Sequence, residues 1–537
     1  MTRLLTPRAA AVTLICLPYV GLATWLARIQ DLRSVGSFFA TVGLLQLLLA
    51  FAARDWRRFL ILQLPLVVLS WAFCAYTLTF DTPPGRALGY VFQSSSWAEW
   101  RGFFSIWAGL RLALAATVIA VTYLTLACLT PRMPIAAGSN STRWVFIGAI
   151  VLSGAYAATS EASLFDGIAL NPAVGTVLFV TGPLSEARSV LSGESARRSK
   201  IPYRASPVNG EEVHILVIGE SARRDSWSIY GYERKTTPLL EKLRGEAIFF
   251  QQAVADANLT VYAVPILLTG MHAESFHASA VTGNLVDLAR ESGYHTAWLM
   301  NQDPGPSLLV GMQADEMFRP STLANIAQGR SSFDESLLPP LTKALAHRGM
   351  PLFIGLHTLG SHWEYADRYP PAFGRFGPSN GLSFSSLFTQ RSDQRMINAY
   401  DASIAYTDWF LDRVISEVRK LDVPATVTYV SDHGEDLYIL DGNTGHGTAG
   451  FSKHQYEIPA FVWANSAYRV AHPQQIQALI ANSNRRIRSH NVFYTLADLM
   501  GIRWPGAKPA ESFASPEFQP DLTSLFISGG SLVPGPH

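Results

Sequence analysis

Hydrophobic positions divide this chain into two regimes. Up to about residue 160 they run together in long blocks; beyond about residue 210 they recur as short strand-like runs separated by helix-spaced stripes. Five blocks, at 10–27, 37–53, 59–79, 103–129 and 144–160, are long enough to cross a hydrocarbon core of about 30 Å. Five in succession do not fit the interior of a soluble protein. The first is followed by further spans instead of a soluble domain, so it does not read as a cleaved signal. The pattern predicts an N-terminal five-helix transmembrane domain over residues 1–160.

Residues 161–210 read as an interfacial helix and linker. The piece "LNPAVGTVLFVTGPLSEARSVL" is mildly amphipathic and suits the bilayer surface or an ordinary surface helix. "RRSKIPYRASPVNGEE" has the Pro, Ser and basic content of a connector. From 211 to 537 the strand candidates are "VHILVIGE", "HTAWLMNQ", "PLFIGLHT", "ATVTYVSDHG" and "IPAFVWAN". Helix-like stretches such as "TTPLLEKLRGE" and "RSDQRMINAYDASIAYTDWFLDRVISEVRKL" lie between them. This alternation predicts a C-terminal α/β domain with a mostly parallel central sheet flanked by helices. Sites in such sheets gather at the carboxyl ends of strands.

Charge sharpens the picture. A net charge of +1 gives no field to recruit polyanions, so no nucleic-acid partner is expected. Hydrophobic residues at 48% and charged residues at 15% place the chain on the membrane side of ordinary composition. With the N-terminus in the cytoplasm, seven arginines (Arg3, Arg8, Arg54, Arg57, Arg58, Arg132, Arg143) lie inside and four (Arg28, Arg33, Arg86, Arg101) outside. That bias has the sign of the positive-inside rule. Five crossings then put everything after residue 160 outside the cytoplasm. All three cysteines, Cys16, Cys74 and Cys128, lie in the spans, so the outer domain has neither disulfide nor thiol ligand.

Candidate chemistry sits at the strand ends. Glu220 closes the first strand, and Asp432–His433 closes "ATVTYV". Two carboxylates and an imidazole can hold one divalent ion; zinc suits that mixture, and manganese is not excluded. Asp and His also close strands simply by capping the next helix. Ser221, in "GESAR", lacks the glycine that a G-x-S-x-G elbow needs at position 223, and it reads as a helix N-cap. The nucleophile candidate is Thr260, in "NLTVYAVPILLTG", where a capping role is the bland alternative. A threonine hydroxyl attacks at neutral pH only when a base or a metal activates it.

Six segments, in order, carry a resemblance: "VIGESARRDSWSIYGYERKTTPLL", "TVYAVP", "HTLGSH…RYPPAF", "AYDASIAYTDWFL", "SDHGE" and "HGT". Residues 212–500 resemble membrane-bound phosphoethanolamine transferases of the alkaline phosphatase/sulfatase superfamily. These enzymes modify lipid A, giving polymyxin resistance, or the lipopolysaccharide core. The resemblance implies a periplasmic sulfatase-like catalytic domain on a bacterial inner-membrane anchor. It implies zinc held by Glu220, Thr260, Asp432 and His433, one tight site with a second possible, and Thr260 as nucleophile. It implies that His362 and His446 bind donor phosphate or a second metal. The donor would be phosphatidylethanolamine, the intermediate a phosphoethanolamine-threonine, and the acceptor lipopolysaccharide or another envelope glycan. Superfamily alternatives are a phosphoglycerol transferase and a phosphodiesterase or sulfatase-type hydrolase; outside enzymes, the alternative is a membrane-anchored binding protein.

Some positions depart from the family pattern. "GES" replaces "GET", and disulfides are absent. The lysine of the lipid A type has no counterpart in "WLMNQDPGPSLLVG", where Asn301 and Gln302 are the candidates to bind phosphate or ethanolamine. His454 beside Lys453 is an added substrate or metal candidate, weighed against a surface position. These departures point toward a core sugar or other glycan as acceptor. His357 is expected to hydrogen-bond within the site, Asp401 and Asp408 to cap or pair locally, and His272 and His295 to be structural.

Overall fold

The structure is a computed structural model. It describes residues 6–28, 55–80, 106–134, 203–276, 281–302, 314–318, 333–379, 393–440, 443–447, 451–523 and 525–534, short gaps and isolated positions between 42 and 53 aside. The chain separates into two compact units, one of Met1–Tyr90 with Phe104–Leu184 and one of Val91–Phe103 with Ser185–His537.

The first unit contains helices α1 (Pro7–Arg28), α2 (Trp56–Leu62), α3 (Leu64–Phe80) and α4 (Ile106–Leu129). They pack through Ala11, Ile15, Leu22, Leu60, Val67, Phe73 and Tyr123. The Tyr123 hydroxyl donates to the carbonyl of Leu60 at 2.9 Å, and Trp71 Nε1 to that of Leu14 at 3.0 Å, so polar tips find partners inside the bundle. Leu17, Val20, Leu114, Val118, Val121 and Leu129 face outward. Among the described residues, α1 alone is long and apolar enough to cross a membrane unbroken. The span expected at 59–79 is instead the pair α2 and α3, bent by 48° about Gln63. Pro65, one residue into α3, lacks the N–H and crowds the carbonyl four residues back, which breaks the helix there. The spans expected at 37–53 and 144–160, and most of 161–210, lie outside the described residues.

The second unit is built on a seven-stranded sheet. Its strands are β1 (Val213–Gly219), β2 (Ala247–Phe249), β3 (His295–Met300), β4 (Glu316–Phe318), β5 (Leu352–His357), β6 (Ala425–Ser431) and β7 (Ala460–Ala464). They lie in the order β2-β7-β6-β1-β5-β3-β4. Only β7 runs against the others. All five strands expected from the sequence are present. Every residue of β1 is buried, and alternate residues enter opposite cores: Leu216 and Ile218 on one face, Val213, Ile215 and Val217 on the other. That explains why the strand reads as a continuous apolar run. The helix expected over "TTPLLEKLRGE" shrinks to one turn, Pro238–Glu241. The longest helix among the described residues of this unit, Gln394–Val418, starts at Asp393, whose side chain accepts from the N–H of Arg395.

Register positions the site. Ile218 pairs with His357 and with Val430, Gly219 with Ser431, and Met300 with His357. The carboxyl ends of β1, β3, β5 and β6 are therefore level, and Glu220, Asn301, Thr358 and Asp432 leave the sheet along one edge.

Candidate active site

Glu220 and Asp432 follow adjacent strands and are completely buried, as is His433. The turn after β1 is tight: Ser221 has φ 55°, in the left-handed region that side chains seldom adopt. Three contacts hold it there. The Ser221 N–H donates to Asp432 Oδ1 at 3.1 Å, its carbonyl accepts from the Tyr400 hydroxyl at 2.6 Å, and its Oγ donates to Glu220 Oε1 at 2.9 Å. Ser221 is thus not the helix cap expected from sequence. Its side chain is engaged with Glu220, and the short 3-10 turn that follows begins at Arg224 without a side-chain cap. Gly360 closes the site from behind, with φ +49° and the Glu220 backbone 2.8 Å from where a Cβ would stand. Asp334 fixes that loop by accepting from the N–H groups of Leu359 (2.8 Å) and Gly360 (3.0 Å).

Thr260 is the first residue of helix α5 (Thr260–Thr269). Its hydroxyl donates to Glu220 rather than capping the helix, with Oε1 at 3.1 Å and Oε2 at 3.2 Å, and it lies 3.2 Å from His433 Nε2. The helix N-terminus adds partial positive charge around Oγ1. His433 Nδ1 lies 2.8 Å from the carbonyl of Gly434, which makes it the protonated nitrogen and aims Nε2 at the carboxylates. Nε2 is 3.4 Å from both Glu220 Oε1 and Asp432 Oδ2.

Electrostatics leave this group able to hold a cation, or protons in its place. Burial works to raise Glu220, but the hydrogen bond and charge of His433 outweigh it and hold the carboxyl well below its usual range. Burial, then the Glu220 charge, pushes Asp432 upward. For His433 burial acts downward, yet Asp432 and Glu220 lift it above the ordinary imidazole range. Asp432 Oδ2 is buried and accepts no hydrogen bond among the described residues, a costly state for a carboxylate oxygen. One donor atom from each of Glu220, Asp432 and His433 falls within 4.8 Å of the others. Two carboxylates, one imidazole and an adjacent hydroxyl fit a zinc-class ion.

The other candidates divide. The His446 ring lies 4.5 Å from that of His433 and 6.0 Å from that of His362, so both flank the group. Gln302 reaches it too: Nε2 donates to Glu220 Oε2 at 2.7 Å and to the Thr358 carbonyl at 3.0 Å. Asn301 is buried, and its Nδ2 donates to Asp334 Oδ1 at 2.9 Å. His454 Nδ1 pairs with Asp225 Oδ2 at 2.7 Å. Its backbone packs under Gly434, where any Cβ would overlap the His454 carbonyl. His357 is buried with neither ring nitrogen hydrogen-bonded among the described residues, contrary to expectation, and burial takes it down to about 4. Asp401 and Asp408 pair across the fold, not locally: Asp401 accepts from Tyr232 and Arg234, Asp408 from the N–H groups of Leu239 and Leu240.

Several positioning residues escape sequence reasoning. Glu435 Oε2 holds His446 Nδ1 at 2.7 Å, and its Oε1 accepts from the Tyr365 hydroxyl at 2.9 Å. Asn258 Nδ2 donates to Gln455 Oε1 at 2.7 Å, and Gln455 Nε2 to Asp436 Oδ2 at 2.8 Å, bracing the segment before Thr260. The run of acids in "SDHGED" was the available signal for Glu435 and Asp436; nothing local marks Tyr400 or Gln455.

A family model described as Sulfatase matches residues 213–502, more than half of the chain. The chain belongs to the sulfatase family. Within the wider alkaline phosphatase/sulfatase superfamily, this sulfatase domain has named relatives. Phosphoethanolamine transferase EptC of Escherichia coli is 24% identical over 346 residues, 63% of this chain and 59% of that protein. Phosphoethanolamine transferase EptA of Helicobacter pylori is 31% identical over 274 residues, 50% of each chain. The matches therefore span between half and three-fifths of these relatives' lengths. Among solved structures, the zinc complex of the periplasmic domain of Escherichia coli EptC superposes with TM-score 0.53 at 25% identity. It covers 61% of this chain and 93% of that one. The integral membrane lipooligosaccharide phosphoethanolamine transferase A of Neisseria meningitidis superposes with TM-score 0.69 at 21% identity, over 93% of this chain and 98% of that one, a likeness of fold.

Proposed function

We propose that this chain transfers phosphoethanolamine from phosphatidylethanolamine to an envelope glycolipid or glycan through a covalent phospho-Thr260 intermediate. The observation that carries the reading is the placement of the Thr260 hydroxyl. It lies within 3.2 Å of a buried carboxylate and a buried imidazole at the start of a helix. Relatives named for this activity supply the head group.

Glu220, Thr260, Asp432 and His433 are the residues that would hold zinc, which, when bound, makes the hydroxyl more acidic and stabilises charge on the phosphoryl oxygens. Thr260 Oγ1 attacks phosphorus as its hydrogen passes to the Glu220 carboxylate to which it already donates, which returns it when the intermediate breaks down. The diacylglycerol oxygen departs as the P–O bond breaks. Glu435 occupies Nδ1 of His446, so Nε2 is the nitrogen left to protonate that oxygen and later to take the acceptor's hydrogen. His362 and Gln302 would bind the donor phosphate or ethanolamine. The acceptor hydroxyl then attacks the phospho-threonine, restoring the Thr260 alcohol.

A five-span anchor over residues 1–160, N-terminus cytoplasmic, a linker at 161–210 and a periplasmic domain at 211–537 fit this role in a bacterial inner membrane. Tethering holds the catalyst at the surface where a diacyl donor and a lipid-borne acceptor are concentrated. The lipid A lysine has no counterpart near Asn301, which favours a core sugar or other glycan as acceptor. Mass spectrometry of envelope glycolipids from cells expressing wild type or Thr260→Ala tests both points. Wild type alone should add phosphoethanolamine; addition by both proteins rejects the nucleophile, and a different head group rejects the donor.

A further inference from the structure

A second cluster of metal-capable side chains surrounds the far end of α5, and none of its members belongs to the catalytic group. His272 follows Gly270, the residue that caps α5, by two positions, and Asp256 precedes Thr260 by four. Their partners come from the C-terminal part of the chain: Arg488, His490, Glu511 and Asp521.

We propose that His272, His490 and Glu511 form a second divalent-metal site of zinc class, with Asp521 and Asp256 orienting the two imidazoles. The ion there would clamp the helix that begins at Thr260 to the C-terminal segment.

The directions of the ring nitrogens carry the argument. His490 Nδ1 lies 3.1 Å from both oxygens of Asp256, and His272 Nδ1 lies 3.5 Å from Asp521 Oδ2. Each ring thus has a carboxylate behind it, the arrangement that fixes a metal-ligating histidine with Nε2 forward. Both Nε2 atoms then converge on one carboxylate: His272 on Glu511 Oε1 at 3.0 Å, His490 on Oε2 at 3.4 Å. Donors about 2 Å from a tetrahedral zinc stand about 3.3 Å apart, so an ion could replace these contacts with little movement of the side chains. The two rings lie 4.2 Å apart with planes 30° from parallel.

Two further observations point to a ligand. His490 is completely buried, yet its Nε2 makes no well-formed hydrogen bond among the described residues. The cluster also concentrates acidic charge: Asp256, Glu511 and Asp521 face Arg488, which contacts Asp256 at 2.7 Å and Asp521 at 3.4 Å, with Arg486 near the same two carboxylates. A divalent cation would stand in for the protons that these carboxylates otherwise favour on the two rings. His272, 31% exposed, opens the cluster to solvent, and Asp521 offers a further donor within 4.8 Å of both imidazoles.

The test uses the full chain in detergent with Glu220→Ala and Asp432→Ala silencing the catalytic group. His347→Ala removes the exposed His295–Glu316–His347 group as a competing binder. Zn²⁺ alone is added, excess is dialysed away, and bound metal and thermal midpoint are measured. One equivalent of zinc and a raised midpoint are expected, both lost when His272→Ala is added. Should that variant misfold, Glu511→Gln replaces it with the same expected loss. The proposal is overturned if the triple variant binds no zinc, which would mean that two protons balance the cluster. It is equally overturned if the added substitution leaves zinc content and midpoint unchanged. Because the catalytic ligands are already removed, failure here leaves the transferase reading untouched.

Discussion

The backbone N–H of Ser221 donates to Oδ1 of Asp432 at 3.1 Å, joining residues 211 positions apart. That bond holds the turn after β1 in its left-handed conformation, and with it the aim of Glu220. Ser221→Gly should therefore keep the fold, since glycine takes that conformation freely. Ser221→Ala should lose about 1 kcal/mol in stability. Both should retain transferase activity within roughly tenfold, because only one hydrogen bond to Glu220 is lost. Activity assays beside thermal unfolding check this, and an inactive, folded Ser221→Gly would return the serine to a chemical role.

Thr260 should behave differently. Thr260→Ala is expected to abolish transfer, a loss of about 10⁴-fold or more, while Thr260→Ser keeps a hydroxyl at the same position and measurable turnover. Single-turnover assays that trap the phosphorylated protein distinguish the two. A labelled Thr260→Ala chain would exclude this nucleophile.

Glu435 touches no reacting atom; it acts by holding Nδ1 of His446. Glu435→Gln should lower kcat by about 10–100-fold with a smaller change in KM, the range seen when the partner behind a functional histidine is removed. Glu435→Ala should do more. Equal damage to KM and kcat in a destabilised protein would mean a purely structural role.

Chelation should inactivate the enzyme, and zinc should restore it. Glu220→Gln and Asp432→Asn should not be restored at the same zinc concentration, because each loses a charge that the buried group needs to hold a divalent ion. Restored activity in either variant would remove that residue from the ligand set.

Burial pushes the Asp408 carboxyl up to about 7, against the pull of the N–H groups it accepts from. Between about pH 4 and pH 7 the folded chain keeps a proton there that the unfolded chain has released, so this group subtracts stability as pH rises. Asp408→Asn removes that dependence. Its midpoint relative to wild type should climb as pH rises through the window, and a difference flat with pH would contradict the assignment.

Much of this was legible in residue order. The apolar runs marked all five expected strands, because strands covered on both faces must be continuously hydrophobic. The strand-end rule brought forward Glu220, Asp432 and His433, the hydroxyl ahead of an apolar helical run brought forward Thr260, and the motif order brought forward His362 and His446. Local pattern failed where partners are distant. It gave Ser221 a cap's role, since nothing nearby reveals a bond to Asp432, and it passed over Glu435, Gln455 and Tyr400. It also read 59–79 as one span, although Pro65 was in view. His272 carried no motif at all; its meaning comes from His490 and Glu511, more than two hundred residues away. Sequence by itself determined which residues are candidates for the chemistry and which runs become strands, for those follow from side-chain chemistry and period. Tertiary structure alone decided which atoms face one another, because register and packing, not proximity in the chain, set those distances.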